Sequence, residues 1–117
     1  MDTRPALGRA GEDVAAAFYL RNGFRVLDRN FRCQAGEIDL VVRRGSLVVF
    51  CEVKTRSRTA HGAPAEAVDG RKQVRLRRLA GQWLAERRPR ARDIRFDVIA
   101  VEAASNSLRV THLPDAF

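Results

Sequence analysis

Two apolar runs meet at the dipeptide Gly45-Ser46 in the segment GEIDLVVRRGSLVVFCEVKTR, and that junction constrains the fold more than any other part of the chain. Both runs are rich in Val, Leu, Ile and Phe, and Gly-Ser suits a two-residue turn of the primed type, so the segment predicts a β-hairpin. With Gly45 and Ser46 as the loop, Arg44 faces Leu47, which sets Asp39 opposite Glu52 and Glu37 opposite Lys54. A four-residue loop keeps this parity, whereas a three-residue loop splits the cluster. The other face carries Ile38, Leu40, Val42, Val49, Cys51 and Val53, and Val41, Val48 and Phe50 continue the charged face toward the turn. Both faces are therefore covered, and these read as central strands with the charges gathered at one end.

Opposed carboxylates on one sheet face repel unless something compensates them. A divalent cation does so, and Mg²⁺ prefers oxygen ligands, commonly one or two carboxylates together with a substrate phosphate. Asp39 and Glu52 fit as metal ligands, with Val53 able to add its backbone carbonyl and Glu37 standing behind them. Lys54 can orient a water or stabilise charge that develops during attack on a phosphodiester. The plainer reading is a Glu52–Lys54 pair at a partly wet strand end, beside solvated Asp39 and Glu37. Two acids and a lysine interrupting strongly apolar strands favour the metal site, because polar groups there are costly without partners.

Asp39, twelve residues, then Glu52-Val53-Lys54 is similar to the PD-(D/E)xK nuclease signature, with Ile38 where the name has proline. More closely, GEDVAAAFYL, NFRCQAGEIDLVV, CEVKTR and HGAPAEAV resemble the YraN family of small bacterial proteins, over most of the chain. That resemblance implies an endonuclease-like protein related to archaeal Holliday junction resolvases. It implies Asp39 and Glu52 as metal ligands, Lys54 as the catalytic lysine, and Glu12 as a further acid reaching the same site. Taken from the residues alone, Glu12 is a first-turn acid in a helix over residues 7–22 that Gly23 stops. Leu7, Val14, Ala17 and Phe18 form the expected core stripe of that helix, and Glu12 lies on a neighbouring face with Ala15, Ala16 and Tyr19.

The net charge of +8 over 117 residues points to a polyanionic partner. Of 22 basic residues only Lys54 and Lys72 are lysine. Arginine grips phosphate well, although an arginine-rich genome produces the same bias. A second helix over residues 65–88 would carry an apolar stripe of Val68, Leu76, Leu79, Ala80 and Trp83. Arg71, Arg75 and Arg78 line another face, and with Arg56, Arg58, Lys72 and Gln73 they are the candidate nucleic-acid contacts. Such contacts give salt-dependent binding without base information. For any single arginine a solvated helix face is the commoner explanation.

Residues 57–64 read as a loop beside the site, and His61 within it is set aside as incidental. An edge strand is expected over residues 24–31, and two further strands over 94–101 and 108–112 with a turn at 104–107. Asp97 is polar within its strand and reads as a structural hydrogen-bonding group. The expected fold is α/β: a restriction-endonuclease-like mixed β-sheet flanked by helices, a single domain over residues 1–117 with residues 1–5 frayed. Cys33 and Cys51 lack zinc spacing and read as free thiols of a reducing compartment. No signal peptide or transmembrane run is visible, which suggests a cytoplasmic protein with no membrane partner. There is no phosphate loop, Ser-His-Asp order or zinc-protease helix.

These readings converge on a Mg²⁺-dependent endonuclease, with Mn²⁺ able to substitute, acting on structured or branched DNA. A homodimer and repair or recombination proteins are further expected partners. The alternative is a catalytically silent nucleic-acid-binding or interaction module that keeps the nuclease fold.

Overall fold

The computed structural model describes residues 6–56, 68–103 and 105–117. Helix α1 spans Ala6–Arg21, followed by strands β1 (Arg25–Cys33), β2 (Gly36–Arg44) and β3 (Leu47–Arg56). Helix α2 spans Gly70–Arg87, and strands β4 (Asp93–Ala103) and β5 (Leu108–Leu113) complete the chain. This is the expected order of helix, three strands, helix and two strands. The expected frayed residues 1–5, the loop with Arg58 and His61, and the first three residues of the expected second helix lie outside the described residues.

The five strands form one mixed sheet in the order β1-β2-β3-β4-β5. The first three run antiparallel, β3 and β4 are parallel, and β5 returns antiparallel. Neighbouring parallel strands cannot be joined by a tight turn, so the chain crosses over through α2. The β2–β3 register has Arg44 facing Leu47 and Val41 facing Phe50, as the Gly45-Ser46 turn requires. Gly45 has φ +59° while Ser46 is not in the positive region, which is the pattern of a II′ turn with glycine first. At the end of α1, Gly23 at φ +84° accommodates a reversal that a side chain would strain, and the Phe24 N–H donates back to the Tyr19 carbonyl.

The two helices cover opposite faces of the sheet. Ala15, Ala16 and Tyr19 of α1 pack on Leu40, Val42, Val49, Cys51, Val53, Ile99 and Val101. Leu76, Leu79, Ala80 and Trp83 of α2 pack on Ile38, Val41, Val48, Phe50 and Val98. Ring contacts between Phe50 and both Trp83 and Phe96 knit the second layer.

Two expectations need correction. The buried face of α1 is Gly11, Glu12, Ala15, Ala16 and Tyr19, whereas Val14, Ala17 and Phe18 lie only partly buried at its flank; the Leu7 side chain lies outside the described residues. The small residues win because they let the helix approach the sheet: a Cβ on Gly11 would stand 2.3 Å from Thr55 Oγ1. Ile38 does not share a face with Leu40 and Val42 but packs in the α2 layer. Strict alternation fails between Ile38 and Leu40, next to a β1 strand that is itself distorted. Its register slips between Val26 and Asp28, and Asn30, which falls opposite Asp39, has φ +55°. Asparagine tolerates that left-handed conformation better than most residues.

Candidate functional site

The irregular point in β2 is where the charged residues gather. The β2–β3 ladder ends at Leu40–Cys51, so Asp39 and Glu52 are not joined by a backbone rung. Instead the Asp39 carboxylate reaches across and its Oδ2 accepts the Val53 N–H at 2.8 Å. Oxygen atoms of Glu12, Glu37 and Asp39 then all lie within 4.8 Å of one another. Glu12 comes from the buried face of α1 and is itself buried, while Glu37 and Asp39 come from the start of β2. The close seat of Gly11 on Thr55 brings Glu12 within reach. On its outer side Glu37 accepts from Arg32 Nε of β1 at 3.0 Å.

Burial pushes the Asp39 carboxyl up to about 7, with the nearby Glu52 and Glu37 charges adding to the effect. The Val53 N–H and the Lys72 ammonium pull the other way without winning. Three carboxylates whose oxygens lie within 4.8 Å of one another are an oxygen-only donor set that suits a hard divalent cation. A divalent cation beside Asp39 would favour its charged form and act against that rise.

Glu52 stands beside this group and is buried, but it is engaged elsewhere. Its Oε1 lies 2.8 Å from Lys72 Nζ of α2 and 3.7 Å from Lys54 Nζ of β3. Burial lowers the Lys54 ammonium from its ordinary value, and Lys72 close by lowers it further. For Lys72 the loss of solvent is the largest influence and acts downward, yet the hydrogen bonds to Glu52 and Lys54 and the Glu52 and Asp39 charges together outweigh it and the net direction is up.

Of the sequence-predicted set, Glu12, Glu37 and Asp39 thus form one carboxylate cluster, and Glu52 and Lys54 form an adjoining ion-pair cluster. Glu37, placed behind the ligands by sequence, is inside the acid cluster. Lys72, expected on a nucleic acid, is inside the site. Val53 contributes its N–H to Asp39. Arg71, Arg75 and Arg78 are exposed along one stripe of α2, and Arg56 ends β3 half-buried. Arg75 leans over Gly36, just ahead of Glu37. Gln73 is tied to the start of the helix, donating to the Val68 carbonyl at 3.2 Å, which leaves it poorly placed as a contact. Arg58 lies outside the described residues.

Sequence reasoning missed one support, Asp69, and read another, Asp97, as the structural hydrogen-bonding group it is. Asp69 caps α2, accepting the Lys72 N–H at 3.0 Å, and an Asp just ahead of Gly-Arg-Lys-Gln was a readable signal. Asp97 is fully buried and receives Tyr19 Oη at 2.7 Å, both Arg95 nitrogens at 2.8 and 2.9 Å, and the Asp115 N–H at 3.0 Å. His112 Nε2 lies 2.8 Å away. Burial alone would raise the Asp97 carboxyl, but these hydrogen bonds outweigh it and hold it below the ordinary range. Tyr19 is two turns along α1 from Glu12, so this hub fixes the rotation of the helix that presents Glu12. Cys33 and Cys51 are free thiols, and burial raises Cys51.

No helix among the described residues is long and apolar enough to cross a membrane. In a comparison of folds, the chain overlays the SfsA protein of Pyrococcus furiosus, solved with Ca²⁺, at a TM-score of 0.36 and 9% identity. The overlay takes in 92% of this chain and 62% of that one, a degree of likeness from which nothing about the site follows. In sequence, a UPF0102 protein of Frankia casuarinae is 53% identical over the whole of both chains. One of Moorella thermoacetica is 52% identical over 85% of this chain and 82% of its own. The model of the uncharacterised protein family UPF0102 matches residues 11–101. With most of its length inside that match and full-length relatives at half identity, the chain belongs to the UPF0102 family, the YraN family that its motifs resemble.

Proposed function

We propose that the chain is a divalent-cation-dependent endonuclease that hydrolyses phosphodiester bonds in structured or branched DNA. The observation that carries this reading is the convergence of Glu12, Glu37 and Asp39 to within 4.8 Å, beside Lys54, on a chain of net charge +8. Glu12, Glu37 and Asp39 would hold Mg²⁺ or Mn²⁺, with Glu52 as a further ligand beside them. When bound, such an ion supplies Lewis-acid polarisation of the phosphoryl group and lowers the pKa of a water. Lys54, partly buried and less basic than a free lysine, is suited to orient the attacking water and to meet charge as it builds on the phosphate. The arginines of α2 would follow the nucleic-acid backbone, a role for which their planar forks are matched.

The test is cleavage of labelled four-way junction, flap, duplex and single-stranded DNA, and of RNA, with and without Mg²⁺ or Mn²⁺. Wild type should cut only with the ion, Asp39→Asn should not cut, and Lys54→Met should lose about 10²–10⁴-fold in rate. A pairing as close as Lys72 on Glu52 also suits a silent binding module. Metal-independent binding with no cleavage of any substrate would establish that reading and overturn the enzymatic one.

A further inference from the structure

The two lysines of this chain converge on one carboxylate oxygen. Lys72 and Lys54 both face Glu52 Oε1, at 2.8 and 3.7 Å. Among the described residues, the pairs Arg29–Asp13, Arg32–Glu37, Arg87–Asp28 and Arg95–Asp97 are made by arginine, and His112 also meets Asp97. In a chain with 20 arginines among 22 basic residues, lysine at both positions calls for a physical reason. An arginine fork grips a carboxylate with two parallel bonds, whereas an ammonium is a compact charge on a flexible stem that can leave.

The place of Lys72 in α2 points the same way. Asp69 is the N-cap, so Lys72 is the third residue of the helix, in the first turn. A cation there opposes the helix dipole, and that position favours Glu or Gln in a capping box. Lys72 also continues, at helical spacing, the buried stripe of Leu76, Leu79 and Trp83. A basic residue that violates both local rules is held there by a partner off the helix, and Glu52 is that partner.

We propose that Lys72 is a positioning residue of the site, a resident counter-cation that holds Glu52 in the ion-free protein and gives it up when a divalent cation enters. The proposal deepens the nuclease reading and rests on its metal site. Lys72 weakens ion binding because the ion must displace it from Glu52, and by reciprocity a bound ion loosens Lys72. The released ammonium lies beside the arginine stripe that begins at Arg71, where a substrate phosphate could take it up.

The experiment is Mn²⁺ titration of the full chain by calorimetry, with thermal unfolding followed by the single Trp83, on wild type, Lys72→Met, Lys72→Gln, Lys72→Arg and Glu52→Gln, plus Lys72→Met combined with Glu52→Gln. The cap survives each Lys72 substitution, since Asp69 receives the backbone N–H of that residue. Both neutral variants should bind Mn²⁺ roughly tenfold more tightly while melting lower without ion, and Lys72→Arg should show no gain in affinity. On the Glu52→Gln background the gain should vanish. If wild type binds Mn²⁺ and the neutral variants bind it equally or more weakly, the inference is overturned and the metal site stands. If neither wild type nor any variant binds Mn²⁺, both the inference and the metal site fall. A purely structural Lys72 would lower melting without moving the dissociation constant, which also overturns it.

Discussion

Asp39 is a carboxyl group whose environment opposes its own charge. Its pKa is about 7 in the folded chain against the usual 3.8, because burial and then Glu52 disfavour the anion. The folded state thus binds a proton that the unfolded state has lost between those values. Stability of the ion-free protein should therefore fall as pH rises from about 4 to about 7 on account of this group, and level off above. Asp97 acts oppositely: its depressed value adds stability above the usual carboxylate range that is lost as pH falls through the folded value. The comparison of wild type with Asp39→Asn isolates the first effect. The variant should be more stable at pH 8, by about 1–3 kcal/mol in urea unfolding, with no difference near pH 4. Asp39, Glu52 and Lys54 were readable as candidates because charges in apolar strands stand out. Their grouping was not, since a ladder that stops at Leu40 and a helix lysine reaching Glu52 leave no mark in residue spacing.

Elements were more legible than residues. The hairpin, its register from the turn to Leu40–Cys51, the crossover helix and the two last strands followed from periodicity and from Gly45-Ser46, whereas the expected Asp39–Glu52 and Glu37–Lys54 pairs lie beyond the ladder. The face of α1 did not, because the hydrophobic stripe through Val14 and Phe18 competes with a stripe of small residues, and close packing favours the latter. Gly11 is where that choice is enforced. Gly11→Ala would place a Cβ 2.3 Å from Thr55 Oγ1 and 3.3 Å from Thr55 Cβ, so the helix must retreat or Thr55 must turn. We expect a loss of about 1–3 kcal/mol in unfolding free energy, together with weaker ion binding as Glu12 is carried away. Thr55→Ala in the same chain should restore part of both, which separates a packing effect from a local effect on helix propensity.

At the scale of the whole molecule, the sheet sets acids and bases apart. Carboxylates from α1 and β2 form a small negative centre, and α2 lays Arg71, Arg75 and Arg78 beside it on a surface otherwise rich in arginine. On the proposed reading, attraction of a polyanion and capture of a cation are separate functions of one chain. Asp39→Asn should accordingly keep its affinity for duplex DNA, and in filter-binding or anisotropy titrations log K should fall linearly with log salt. The slope should be about −0.9 per phosphate neutralised. Replacing Arg71, Arg75 and Arg78 together by Gln should flatten that slope while leaving Mn²⁺ binding unchanged. The charge balance was legible from composition alone, but composition could not separate a useful basic stripe from a codon bias. The salt slope of the triple variant makes the distinction.

The bond from the Val53 N–H to Asp39 makes the carboxylate a part of the sheet as well as of the site. Where the β2 backbone no longer supplies a rung, a side chain closes the seam between the two middle strands. If the site takes an ion as proposed, its occupancy and the fit of those strands are one variable. Removing the group altogether opens the seam and strips a buried donor of its acceptor, while an amide in its place keeps the oxygen and loses only the charge. Asp39→Ala and Asp39→Asn are consequently different experiments: the first disturbs the scaffold and the chemistry together, and only the second interrogates the chemistry.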